Sequence, residues 1–362
     1  GGTATEVTVT NTFETGQFSV EKVLSGSGAA FVPAGTVFEV EVECAFAGNP
    51  VDGFDPATLG LTTPDGLVEV VGPLPVGSEC TVTETDDNGA ASVEIDPPQP
   101  VTINAGGTAV QVIVTNTFLT GELVVTKVVD GPGAALLPDG TVFTVEVACT
   151  YLGAPVNGFD PRVLDLTTPD DLSATLGPVP VGAECTVTET ENQNAGETVI
   201  DPAGPFAILG RDEGPVDVTV TNTFAAGLVT VEKVVDGPGA GFVPDGTVFT
   251  VEVDCVFAGN PVVGFDPLVV DLVTPDQLSG SVGPLPVGAE CTVTETEDQG
   301  AVDVVVDPAD PVVVEGSLQE PFPEVGVTVT NTFGSGELTV SKVLAGAGGA
   351  LLPDGTVFTV EV

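Results

Sequence analysis

Tandem antiparallel β-sandwich domains are the fold this sequence predicts, and three observations lead there. Short runs rich in Val, Thr and Phe alternate apolar and polar residues, the period of a half-buried strand, while helical periodicity is nearly absent. Gly, Pro, Asp and Asn bound those runs at close intervals, as turns do. The pattern also recurs along the chain. Lys22, Lys127, Lys233 and Lys342 stand 105, 106 and 109 residues apart, and Val-Thr-Asn-Thr-Phe recurs with the same intervals at Asn11, Asn116, Asn222 and Asn331. A unit of about 100 residues buries a core of its own, so each copy is expected to fold as a domain. The fold class is therefore all-β, with sandwiches of immunoglobulin-like or transthyretin-like type.

The expected boundaries are 1–15 for the last strand of a preceding copy, 16–119, 120–225 and 226–334 for three complete copies, and 335–362 for the first strands of a following one. The 362 residues thus read as a window on a longer array. In the second copy, residues 122–129 read as the first strand, and the turn Pro138-Asp139-Gly140 closes the loop after it. Residues 141–149 form the second strand. Phe143, Val145, Val147 and Cys149 share one face; Thr144, Glu146 and Ala148 share the other. A looser stretch runs through Gly158-Phe159-Asp160-Pro161 to Leu176. The turn Val179-Pro180-Val181-Gly182 feeds a strand at 185–190, and an irregular acidic segment leads to the closing strand at 216–224. The copies differ mainly before that last strand, at 196–214 and 301–324, where insertions are best tolerated. About ten residues separate Asn116 from Lys127 and both lie in strands, so successive domains are expected to join as a stiff rod.

With 53 acidic and 6 basic residues, the formal charge is -47. That balance excludes nucleic acid and anionic membranes as expected partners, because binding phosphate needs basic patches. A solvated strand surface is the plain reading of the acidity. The six cysteines fall into three evenly spaced pairs: Cys44 with Cys80, Cys149 with Cys185, and Cys255 with Cys291. Metal sites usually place ligands a few residues apart, and the chain has no histidine. One disulfide per domain is therefore expected, with an oxidising, extracellular compartment. Asp55, Asp160 and Asp266, each in Gly-Phe-Asp-Pro, read as turn residues beside a core phenylalanine rather than calcium ligands. No metal and no cofactor is expected. No Ser/His/Asp arrangement or phosphate loop stands out, so the chain is not expected to be an enzyme.

All four lysines occupy one address in the repeat. In Phe18-Ser19-Val20-Glu21-Lys22-Val23-Leu24, alternation puts Lys22 on the inward face with Phe18, Val20 and Leu24. The same test places Glu84 inward with Cys80 and Val82, and Asn11 inward with Val7, Val9 and Phe13. Each complete copy thus carries an inward set: Lys22/Glu84/Asn116, Lys127/Glu189/Asn222 and Lys233/Glu295/Asn331. Asn11 and Lys342 are half-sites. A lone buried charge is very costly, and even a buried ion pair barely offsets its desolvation. An apolar site instead favours a neutral amine and a protonated acid. The amine then attacks the asparagine amide, the glutamate promotes the step, and ammonia leaves. The expected products are the isopeptide bonds Lys22–Asn116, Lys127–Asn222 and Lys233–Asn331, each made in a single autocatalytic turnover. A non-covalent Lys–Glu–Asn cluster, with the lysine in an ordinary salt bridge, is the alternative.

This order of residues resembles Cna-B/SpaA-like domains of bacterial surface proteins and pilins. The motifs are a first-strand lysine, a glutamate in Thr-Val-Thr-Glu-Thr and an asparagine in a terminal Val-Thr-Asn-Thr strand. The cysteine pairs and the Gly-Pro-Gly-Ala and Pro-Asp-Gly-Thr turns look like a related repeat of actinobacterial surface proteins. The resemblance covers nearly the whole chain. One departure is that Cys80, Cys185 and Cys291 stand where those domains usually carry an aromatic residue.

The expected function is structural: a stiff extracellular shaft on the bacterial cell surface, part of a pilus-like filament or an adhesin stalk. Its partners would be further repeats or copies of itself. A ligand-binding adhesin array, whose varied loops hold a host or matrix ligand, is the second reading. With four inward lysines and two arginines, Arg162 and Arg211, such a shaft would also offer trypsin-like proteases little to cut.

Overall fold

The alternation seen in the sequence becomes a ladder of strands in the computed structural model, which describes residues 3–106 and 110–362. The first unit is built from nine strands: β1 (Thr15–Ser25), β2 (Val37–Phe46), β3 (Asn49–Pro50), β4 (Ala57–Thr62), β5 (Val68–Pro75), β6 (Glu79–Asp86), β7 (Ser92–Asp96), β8 (Val101–Thr102) and β9 (Val110–Thr117). One sheet runs β5-β1-β9-β7. The facing sheet runs β3-β2-β6-β8, with β4 also paired to β2. Two further units repeat this arrangement, one from Thr120–Asp130 to Val216–Thr223 and the next from Ala226–Asp236 to Glu324–Thr332.

Inward residues of the two sheets meet in the core. Phe18 and Val20 of β1, Phe38, Val40, Val42 and Cys44 of β2, Cys80 and Val82 of β6, and Val112 and Val114 of β9 are all buried. Each large apolar side chain so buried contributes roughly 1.5–3 kcal/mol. Phe38 meets Phe118 edge-on at 6.3 Å, and the Phe143–Phe224 and Phe249–Phe333 pairs repeat the contact.

The pairing is antiparallel with one exception per unit. The first and last strands, β1 and β9, run parallel, and so do their counterparts in the other two units. The chain therefore enters each unit at one end of a sheet and leaves at the other.

Two segments read as loose or irregular contain strands. Arg162–Thr167 pairs with Val142–Tyr151, and Glu197–Asp201 pairs with the closing strand. Both lie at sheet edges, where little is buried; in Arg162–Thr167 only Leu166 is fully enclosed, so alternation is faint. Residues 3–14 and 335–362, whose sequences read as strands, carry none; the short turn Gly349–Leu351 is their one regular element. Backbone N–H and C=O groups of a strand need a partner ladder, and neither segment has one among the described residues.

Consecutive units are joined closely. Two residues, Phe118 and Leu119, separate β9 from the strand that opens the second unit. Gly26 has φ +86°, and a Cβ there would lie 2.2 Å from Phe118 O, so only glycine admits the connection. Gly28 N donates to Phe118 O at 2.9 Å, and the Ser27 and Thr120 hydroxyls meet at 2.8 Å. Leu152, Gly153 and Ala154 of the second unit face Pro33, Thr36 and Asn88 of the first across a shallow crevice.

Candidate functional site

The parallel pairing of first and last strands brings lysine and asparagine together. Lys22 pairs with Val114 and Leu24 with Asn116, so Lys22 and Asn116 lie one same-face step apart on neighbouring strands. Lys127 with Asn222 and Lys233 with Asn331 repeat the register. Glu84 comes from β6 in the facing sheet, where it pairs with Val40, and reaches across the core. All three predicted sets are assembled this way, 2 % or less of each lysine and asparagine being exposed.

In the first unit Glu84 Oε1 accepts from both Lys22 Nζ and Asn116 Nδ2, the latter at 3.2 Å. Lys127 Nζ lies 3.0 Å from Glu189 Oε1 without being aligned as a hydrogen bond, and donates instead to Val220 O at 3.3 Å. Lys233 Nζ lies 2.8 Å from Glu295 Oε1, close enough to pair electrostatically but not aligned as a hydrogen bond. Burial pushes all three lysines below the usual lysine range, and the partner glutamate opposes that fall. Burial likewise raises Glu84 above the usual carboxylate range, against the pull of Lys22 and Asn116. The first cluster therefore leans away from a full ion pair, toward amine and acid.

Two further groups complete the site, and sequence reasoning missed both. The ring of Phe38 sits under Lys22 Nζ, 4.6 Å away, and Phe143 and Phe249 sit under Lys127 and Lys233 at 4.7 Å. These second-strand phenylalanines supply the aromatic wall that the cysteines at 80, 185 and 291 do not. Their signal was present in the recurring Thr-Val-Phe, but it reads as ordinary core. The other group is a backbone carbonyl. Asp87 O, Asn192 O and Asp298 O accept from the Nδ2 of Asn116, Asn222 and Asn331 at 3.1–3.2 Å. A carbonyl only accepts, so it fixes which amide atom is nitrogen and turns the oxygen away.

The half-sites are not assembled. Lys342 Nζ keeps its ring contact, 4.7 Å from Phe358, but both lie in exposed chain. Asn11 is exposed, and nearby Phe13 rests edge-on against Phe46 at 6.2 Å.

All three predicted disulfides are present, Cys44–Cys80, Cys149–Cys185 and Cys255–Cys291. Each joins directly paired residues of the second and sixth strands, in the sheet opposite the lysine and asparagine. Phe159 and Phe265 of the Gly-Phe-Asp-Pro turns are buried while Asp55, Asp160 and Asp266 are exposed. Among the described residues there is no group of three or more His, Cys, Asp or Glu arranged to hold a metal. Nor is any helix among them long and apolar enough to cross a membrane.

Several solved structures are similar to this chain. Two B repeat units of the collagen-binding protein of Staphylococcus aureus are 18% identical, the match covering 88% of this chain and 76% of that one with a TM-score of 0.25. The Bacillus anthracis TIE protein is 18% identical, over 88% of this chain and 51% of that one, with a TM-score of 0.38. The major pilin of Streptococcus pyogenes is 14% identical, over 60% of this chain and 99% of that one, with a TM-score of 0.31. No curated protein matches the chain. A family of domains does match it three times over, at residues 18–119, 123–225 and 229–334, and so covers most of its length: the chain belongs to the family described as a domain of unknown function (DUF5979).

Proposed function

We propose that this chain is a structural segment of an extracellular bacterial surface fibre, the shaft of a pilus-like filament or of an adhesin stalk. Each of its three sandwiches is stapled twice, by a disulfide in one sheet and by a Lys–Asn isopeptide bond in the other. The observation that carries the reading is the meeting of Lys22, Glu84 and Asn116 in a closed core, repeated in three units. Buried disulfides support an oxidising compartment. Two-residue connections and parallel terminal strands support a shaft, because tension entering at one end of a unit leaves at the other.

The chemistry follows from the cluster. Lys22 Nζ, held neutral by burial, attacks Asn116 Cγ. Glu84, protonated, polarises the amide and passes the proton from Nζ to Nδ2. A Cγ–Nζ bond forms, the Cγ–Nδ2 bond breaks, and ammonia leaves. Folding supplies most of the advantage by fixing the reactants next to each other. There is no external substrate and no second turnover.

Intact mass after complete disulfide reduction tests the reading. The expected result is a deficit of one ammonia for each of the three units. An unmodified mass overturns the covalent staple and leaves the disulfides alone.

A further inference from the structure

The three clusters are not chemically equal. In the antiparallel ladder beside the closing strand, Asn222 faces Thr198, whereas Asn116 faces Val93 and Asn331 faces Val304. Directly opposite residues of a ladder project to the same side, so the residue at this address meets the asparagine side chain. In the second unit Thr198 Oγ1 donates to Asn222 Oδ1 at 3.0 Å. The corresponding oxygens, Asn116 Oδ1 and Asn331 Oδ1, are buried with no hydrogen-bond partner among the described residues.

A second difference stands beside the first. Residue 192 is asparagine where the other units have Asp87 and Asp298. Its Nδ2 donates to Thr198 Oγ1 at 3.3 Å, so the hydroxyl proton is free to serve an acceptor: Asn222 Oδ1 is the nearer at 3.0 Å, and Glu189 Oε2 lies at 3.4 Å. Asp87 and Asp298 each help hold a proton on the neighbouring lysine, Lys22 and Lys233, and Lys127 has no such neighbour.

We propose that Thr198 is a catalytic residue of the second unit, an oxyanion donor for Asn222 that makes this unit cross-link ahead of its neighbours. The inference rests on the isopeptide reading above. When Lys127 Nζ adds to Asn222 Cγ, negative charge gathers on Oδ1, and the Thr198 hydroxyl is already aimed there. Collapse of that intermediate breaks Cγ–Nδ2 and releases ammonia, with the Nζ proton relayed through Glu189. Asn192 is a positioning residue, acting through Thr198. In the first and third units the same charge develops on an oxygen with valine opposite. Removing an oxyanion donor from a closed site slows acyl transfer by roughly 10²–10³-fold; beside solvent, as at Thr198, the expected factor is about tenfold.

The test follows each bond separately. The full chain is synthesised in a cell-free system under oxidising conditions and quenched in acid and denaturant at intervals. After digestion, mass spectrometry counts the branched peptide of each unit. The expected result is that 127–222 forms about tenfold faster than 22–116 and 233–331. Thr198→Val should bring it to their rate, while Thr198→Ser keeps it fast. Valine is the native residue at this address in both sister units, so the substitution has a folded precedent. Val93→Thr should accelerate the first unit. Equal rates in all three units, unchanged by Thr198→Val, overturn the role of Thr198 and leave the isopeptides standing. No ammonia lost from any unit overturns the isopeptide reading, and this inference with it.

Discussion

Lys22 and Asn116 stand on adjacent parallel strands, one same-face step apart, with Glu84 between their side chains from the opposite sheet. The register is what brings the two side chains together. One residue of slip would turn Asn116 to solvent and place Thr115 or Thr117 beside the lysine. Valines alternating along both strands fix that register, so the packing of the core and the alignment of the reactants are one constraint.

Replacing the acid separates chemistry from packing. Glu84→Gln is expected to keep the ammonia of the first unit while the other two lose theirs, so the intact mass exceeds that of the native chain by one ammonia once the small mass change of the substitution itself is allowed for. It also leaves the Lys22 amine buried without its partner, so that folding must strip its proton, a loss of roughly 3–5 kcal/mol.

The pH dependence of that loss has a defined sign. Burial lowers the Lys22 pKa in the folded state, and without Glu84 the main opposing influence is gone. The unfolded chain then binds the lysine proton more tightly than the folded one. Stability therefore rises with pH toward the ordinary lysine value of 10.5 and levels off above it. Asn116→Ala, which cannot cross-link but retains Glu84, is the comparison. Urea midpoints of Asn116→Ala and of Asn116→Ala/Glu84→Gln should converge as pH increases; a gap that is constant with pH would show that Lys22 does not titrate the fold.

Pulling on the chain distinguishes the two staples. Tension enters at Thr15 and leaves beyond Thr117, so a Lys22–Asn116 bond shelters everything between those two residues, including the disulfide. The native chain is expected to show no unfolding step from the first unit in a force–extension record. Lys22→Ala should restore one. Its length should grow by about 12 nm when reductant is added, since the disulfide holds back 36 residues at roughly 3.5 Å each. A native chain that unfolds stepwise would place all the mechanical strength in the hydrogen-bonded ladders.

The disulfides themselves are shielded. Cys44 and Cys80 are 1% and 0% exposed, and the other pairs are as deeply buried. Reductant is expected to leave them intact in the native chain and to open them only under denaturing conditions, as read by thiol labelling. Removing Cys44 and Cys80 together should destabilise the first unit by about 4 kcal/mol on loop-entropy grounds.

The sequence made the inward faces legible because period two is unambiguous wherever valine alternates with threonine, as around Lys22, Glu84 and Asn116. It did not reveal that β1 and β9, which the expected Lys–Asn bond already sets close together, pair in parallel. Their separation of some ninety residues carries no local signal of strand order, which is set by how the sheets close. The edge strands Arg162–Thr167 and Glu197–Asp201 escaped for a related reason, since an edge buries too little to impose a pattern. Phe38 looked like plain core until the lysine was placed above it. The carbonyls of residues 87, 192 and 298 act through backbone, which leaves no mark on composition. Thr198 differs from Val93 and Val304 in plain sight, yet the difference means nothing until the ladder sets each opposite its asparagine.

Tyr151, the only tyrosine in the chain, offers a readout of the joint between the first two units. It is 5% exposed, at the end of Val142–Tyr151 beside the residues that face the first unit. Burial pushes its phenol above the ordinary value of 10.0, and the Asp87 carboxylate of the first unit pushes it further. Alkaline titration of the tyrosine absorbance should therefore find a raised midpoint in the intact chain. Asp87→Asn should lower it slightly, because the carboxylate is the lesser cause. Inserting a flexible Gly-Ser linker between Thr117 and Thr120 should lower it more, because it also admits water to the ring. If the linker leaves the midpoint unchanged, Tyr151 is buried by its own unit alone, and the joint does not hold successive units in contact.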